Sequence, residues 1–146
     1  MNFDASICER SDHAATLAVL YQHLGPPDRA RQIDRLLAPD PSLAPIISLD
    51  GLINCKAGST IVGAMLAMAS PGRVVMVWPP RTVPALSDTD RPRAEESLLR
   101  ASLEFGRQQS ARFLQLLADE VSPETNEALA LAGYRHLTPL IYLRRP

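Results

Sequence analysis

The chain has 146 residues, 46% of them hydrophobic and 21% charged, with a formal net charge of −1. That size and balance suit one globular domain, residues 1–146, with its own core. The near-neutral charge argues against a nucleic-acid binder, which would carry a basic stripe. The N-terminal MNFDASICERSD is too polar for a secretory signal. The longest apolar run, Ile61 to Ala69, is far shorter than the roughly 20 residues of a membrane span. Cys8 and Cys55 lie far apart with no metal-ligand spacing, so a reducing cytoplasm is the simplest compartment. The 13 prolines cluster at 26–27, 39–45, 79–84 and 139, as rigid connectors between elements.

Taken in order, Phe3 to Cys8 reads as a first strand, and Ser11 or Asp12 caps a helix to about Leu24 with Leu17, Leu20, Tyr21 and Leu24 on one stripe. A second helix starts at Pro27 or Asp28, with Ile33, Leu36 and Leu37 inward and arginines outward, and Pro39 to Pro45 is a loop. Leu49 to Cys55 and Thr60 to Ala69 flank the turn Lys56-Ala57-Gly58-Ser59, and Ser70-Pro71-Gly72 turns the chain into a third strand, Arg73 to Trp78. Pro79 and Pro80 end that strand, because proline cannot donate to a sheet ladder. After a polar loop through Ser87 to Asp90, a helix carries Leu98, Ala101, Ser102 and Phe105 at helical spacing. Arg112 to Ala118 is a further strand, Ser122 or Glu124 opens a short helix closed by Gly133, and Leu137 to Leu143 is the last strand. The order is β-α-α-β-β-β-α-β-α-β: an α/β chain with an antiparallel front half. The strands on either side of the central helix form a parallel crossover.

This order, with the wording of its second half, resembles the GNAT superfamily of acyl-CoA-dependent N-acyltransferases. Ile61-Val62-Gly63-Ala64 resembles that family's third strand, and Val77-Trp78-Pro79 the end of its fourth. Glu96 to Gly106 resembles its central helix, Arg112 to Leu116 its fifth strand, and Ala132-Gly133-Tyr134-Arg135 the close of its fourth helix. The resemblance implies a mixed sheet of about six strands with four helices on its two faces. It implies an acyltransferase using acetyl-CoA or another acyl-CoA, whose pantetheine arm enters where the fourth and fifth strands part. A backbone N–H near Val77 or Trp78 would polarise the thioester carbonyl. The helix amides near Ala94, Glu95, Glu96 and Ser97, with Arg91 and Arg93, would hold the pyrophosphate.

Two departures stand out. The family's glycine-rich pyrophosphate loop is replaced by Asp90-Arg91-Pro92-Arg93-Ala94-Glu95, without a glycine. Glu95 and Glu96, read as first-turn residues, would repel phosphate, while Arg91 and Arg93 either offset this or simply solvate the loop. The tyrosine that many members use as proton donor would fall near Leu129, and Tyr134 reads as core. No general acid or base is assigned, and Tyr21 is a candidate for the acceptor side. The acceptor class stays open between small-molecule and peptide amines. A member of this fold that binds or interacts without catalysing is the alternative, and an exposed sheet edge predicts a homodimer.

Other groups carry less. His13 and His23 point to different sides of one predicted helix, and His136 is remote, so no shared metal site is expected. Cys55 beside Lys56 is either a lowered-pKa thiol or, as favoured, a small buried apolar residue. Trp78 reads equally as cleft wall or core.

Overall fold

The computed structural model describes residues 1–38, 47–118 and 121–135. The predicted strand over residues 137–143, His136 and the loop at 39–45 lie outside them. The described strands are β1 (Asp4–Ile7), β2 (Leu52–Ala57), β3 (Thr60–Ser70), β4 (Val74–Val77), β5 (Arg81–Thr82) and β6 (Phe113–Leu116). The helices are α1 (His13–Leu20), α2 (Pro26–Leu37), α3 (Arg91–Gln108) and α4 (Pro123–Ala132), with a short 3-10 turn at Arg10–Asp12 before α1. The sheet runs β1-β2-β3-β4-β6, antiparallel except for the parallel β4–β6 pair, and β5 pairs with β3.

Side chains alternate across a strand, so the sheet feeds two cores. Ile53, Cys55, Met65, Ala67, Val75 and Val77 face α3 and α4, meeting Leu98, Leu99, Phe105, Ala128 and Ala132. Leu52, Ala64 and Leu66 face the other way, onto Leu17 and Leu20 of α1, with Ile33 and Leu36 of α2 packed behind. Four helices thus cover a mixed sheet from both sides, as the resemblance implies.

Several boundaries differ from the sequence reading, each for a local reason. The β2–β3 turn is narrower: Lys56 and Ala57 pair with Ile61 and Thr60 past a bulge, leaving Gly58-Ser59 as the turn, with Gly58 at φ +62°. β4 starts at Val74 because Arg73 itself sits at φ +61°; its carbonyl accepts the Arg112 N–H at 2.7 Å, tying the start of β4 to that of β6. α1 ends at Leu20, and Tyr21 to Leu24 continue as turn. Asp12 does not cap it with its side chain, but pairs with Lys56 at 2.7 Å. α4 behaves as predicted: the Ser122 hydroxyl accepts the Thr125 N–H at 3.1 Å, and Gly133 closes the helix in the left-handed conformation.

Candidate functional site

The two prolines follow the end of β4, as expected, and after them the chain rejoins β3 as the short β5. Ala67 pairs with Val77, and Ala64 pairs with Arg81. Between these pairs β3 advances by Met65 and Leu66, while its partner advances by Trp78, Pro79 and Pro80. The extra residue is a β-bulge, which local loss of N–H donors favours. Trp78 N still donates to Leu66 O at 2.9 Å before the bulge, and Val83 N to Val62 O at 2.9 Å after it. β6 follows β4 only as far as the Val77–Leu116 pair. Beyond that point the 78–83 segment stays with β3, and the β4–β6 pairing ends.

Alternation turns the Thr82 peptide away from β3, to the side of β5 without a strand partner among the described residues, and Thr82 itself is buried. Its carbonyl accepts Gln22 Nε2 at 2.8 Å. Its hydroxyl accepts Arg91 Nη1 at 3.1 Å, and Arg91 Nη2 donates to Leu86 O at 3.1 Å. Arg91 is therefore folded back into its own loop. Arg93 leans over Phe3, with its guanidinium carbon 5.4 Å from the ring centroid, and reaches Asp90 at 3.4 Å.

α3 begins at Arg91, three residues before Ala94, and this corrects the expected helix start. Glu95 and Glu96 lie in the second turn, and the first turn holds no acid. The Ala94 N–H is spent on Asp90 O at 3.0 Å, so the amides of 94–97 are interior helix bonds rather than free donors. Arg91 N donates to Ser87 O at 2.9 Å, and Pro92 has no N–H. Among the described residues, that leaves Arg93 as the one first-turn amide without a backbone partner. Ser97 faces β1, its hydroxyl 3.3 Å from Phe3 O, and Glu96 pairs with Arg100 at 2.7 Å on the outer face.

Glu95 is 5% exposed and accepts the Thr125 hydroxyl at 2.8 Å, joining the N-terminal regions of α3 and α4. Burial raises its carboxyl above the ordinary value; Thr125 and Arg91 pull it down, and Glu124 pushes it up. A raised folded value means stability is fully present below the unfolded carboxyl pKa of about 4.3 and is lost as pH rises through the folded one. Glu95→Gln keeps the acceptor without the charge. It is expected to gain stability over the parent at about pH 7 and to converge with it near about pH 3.5, read by urea melts. An equal deficit at both pH values would contradict this.

On the α1 side of the bulge lies a cavity of about 280 Å³. Leu20, Tyr21 and His23 line it from the end of α1, Leu66 from β3, and Trp78, Pro79 and Arg81 from the bulge, with Ile47 beside them. The Tyr21 and His23 ring centroids are 6.3 Å apart. Arg29 pins the turn that carries His23, its Nη2 donating to Gln22 O at 3.3 Å and Leu24 O at 3.1 Å. Sequence reasoning placed Tyr21 on the acceptor side but missed His23 and Arg81. His23 was read on a longer first helix, on a different side from His13; α1 ends at Leu20, and His23 lies exposed in the following turn, at the rim of the cavity.

The expected carbonyl-polarising amide at Trp78 is engaged by Leu66 O, and the Val77 side chain is core, 2% exposed. Thr82 carries the peptide turned away from β3 instead. Trp78 is 38% exposed at the cavity wall. Tyr134 belongs to the core: Ser102 spends its proton on Leu99 O at 2.7 Å, so the Tyr134 hydroxyl donates to Ser102 at 2.8 Å, and burial raises its pKa. Cys55 is fully buried, and its thiol is pushed up to about 11 by burial and Asp4, so it is the bland core residue. Among the described residues, no three His, Cys, Asp or Glu side chains converge on a metal-sized space, and no helix is long and apolar enough to cross a membrane.

Compared as a sequence, the chain matches no family model and no curated protein. Compared as a structure, it is similar to the aminoglycoside N-acetyltransferase AAC(6')-Iy in complex with a bisubstrate analogue of CoA and acetylneamine (TM-score 0.68, 11% identity, 100% of this chain against 99% of that one). It is similar to the aminoglycoside 6'-N-acetyltransferase AAC(6')-IG from Acinetobacter haemolyticus (TM-score 0.63, 10% identity, 100% against 99%). A third likeness is to the ribosomal-protein-alanine N-acetyltransferase from Brucella melitensis biovar Abortus 2308 (TM-score 0.64, 15% identity, 99% of each). At these identities the likeness is one of fold. The mixed sheet of about six strands with four covering helices is the fold that the chain shares with these N-acetyltransferases.

Proposed function

We propose that this chain is an N-acyltransferase that moves an acyl group from an acyl-CoA, acetyl-CoA in the simplest case, to an amine held beside the bulge. One observation carries the reading: the bulge at Trp78–Pro80 lies between the aromatic cavity and the end of the β4–β6 pairing, so two ligands can meet across a few residues. The residues fit an extended, amide-bearing arm. The Thr82 N–H is turned away from β3, and its carbonyl becomes available once Gln22 withdraws, so the arm pairs as an added strand would. Arg91, Arg93 and the Arg93 amide would hold the phosphates, side chains replacing a glycine-lined cradle. The neighbours solved with CoA support a CoA-type donor. Those named for aminoglycosides and for a ribosomal-protein alanine support amine acceptors, small-molecule or peptide.

In the transfer, the amine nitrogen bonds to the thioester carbonyl carbon and the C–S bond breaks. The His23 imidazole takes the amine's proton, and the departing thiolate is protonated from water at the exposed mouth. The chain acts as one domain in the cytoplasm. Among the described residues the outer edge of β1 is unpaired, and we assign it to a homodimer contact, to be abandoned if sedimentation finds a monomer across a wide concentration range. The test of activity is incubation with acetyl-CoA and a panel of amines. Thiol release equal to N-acetylated product supports transfer, and neither product contradicts it. The second reading, a binding module on the same fold, is favoured by the α3 N-terminus, where Pro92 and the Ser87–Arg91 turn leave one free amide. CoA binding without thiol release would select it.

A further inference from the structure

Resting on the acyltransferase reading above, we infer that the cavity at the bulge takes an amino-acid-like acceptor: a primary amine with a carboxylate and an apolar body. The cavity, about 280 Å³, falls just below the range for drug-sized ligand sites, which begins near ~300 Å³, and so suits a small molecule. Its walls are Leu20, Leu66, Tyr21 and the half-exposed indole of Trp78, a seat for one apolar side chain. Among the described residues its charge is one-sided. Arg81 lines it, and among the described residues its guanidinium makes no ion pair or hydrogen bond, whereas Arg29, Arg91 and Arg93 are all engaged. No described lining residue is an acid. A carboxylate is the natural partner of that fork. A polycation would meet Arg81 with nothing to neutralise it, so the same residue selects against polyamines and aminoglycosides. His23 on the adjoining wall accepts the proton of the amine.

Trp78 is the only tryptophan in the chain, so its fluorescence reads this cavity without CoA or turnover. The experiment titrates leucine, leucinamide and spermidine into the parent, Arg81→Ala and Arg81→Lys, with thermal melts confirming that each variant is folded. Leucine should saturate, leucinamide should bind about tenfold more weakly, and spermidine should give no change. Arg81→Ala should weaken leucine about tenfold but leave leucinamide unchanged, and Arg81→Lys should recover part of the loss. Equal binding of leucine and leucinamide, indifference to Arg81→Ala, saturation by spermidine, or no response to leucine would each overturn the inference. The two claims fail separately. Leucine binding in this pattern with no thiol release from acetyl-CoA would sink the transferase reading alone, while transfer confined to polyamines would sink the acceptor assignment alone.

Discussion

Replacing His23 with alanine lowers kcat/KM for acyl transfer by about 10²–10⁴-fold, the usual span for losing a positioned general base. The expectation rests on position. His23 sits in a turn held by Arg29 on the carbonyls of Gln22 and Leu24. It faces the cavity beside Tyr21 and Trp78. The buried thiol of Cys55 and the buried Tyr134 hydroxyl, both raised by burial, are unsuited to the task. The loss should fall on kcat more than on KM, and CoA binding should be unchanged. Steady-state thiol release over a range of acceptor concentrations measures both. A variant with parent-like kcat would remove His23 from the chemistry.

Gly51→Ala carries the largest expected effect on stability. A Cβ at this position would stand 1.9 Å from Ala67 O and 2.8 Å from its carbonyl carbon, with the Phe105 ring 3.0 Å away. Ala67 lies in β3, between β2 and β4, and its N–H donates to Gly51 O at 2.9 Å. The obstacle is backbone, so no rotamer relieves it, and the change must shift β3 or the turn at Leu49–Leu52. The cost should reach the upper end for overpacking, about 3 kcal/mol. Chemical denaturation is expected to show a midpoint lowered accordingly or no cooperative transition. A loss below about 1 kcal/mol would mean that the turn yields more easily than this packing implies.

Much of the fold was legible because its signals are local. Ser122 and Gly133 mark the ends of α4 by capping chemistry, and the alternation Leu52/Ile53 and Met65/Leu66 assigns each strand two faces. The bulge was not legible. Pro79 and Pro80 read as a strand end, and only pairing with β3, distant in sequence, shows Arg81 and Thr82 rejoining the sheet. The start of α3 was misread because residues 90–95 were taken as the counterpart of a loop, whereas Pro92 is well suited to the first helical turn, where its missing N–H costs nothing. The site was the least legible part. Leu20, Tyr21 and His23 meet Trp78 and Arg81 only through tertiary packing, and no spacing in the sequence announces that meeting.

Calorimetric titration with CoA tests the central claim most directly, because every proposed step needs a CoA-type donor where the β4–β6 pairing ends. The account predicts saturable binding of one CoA per chain at micromolar strength, weakened tenfold or more, about 1.4 kcal/mol, by the Arg91→Ala/Arg93→Ala double variant. No binding by the folded parent at millimolar CoA would contradict it.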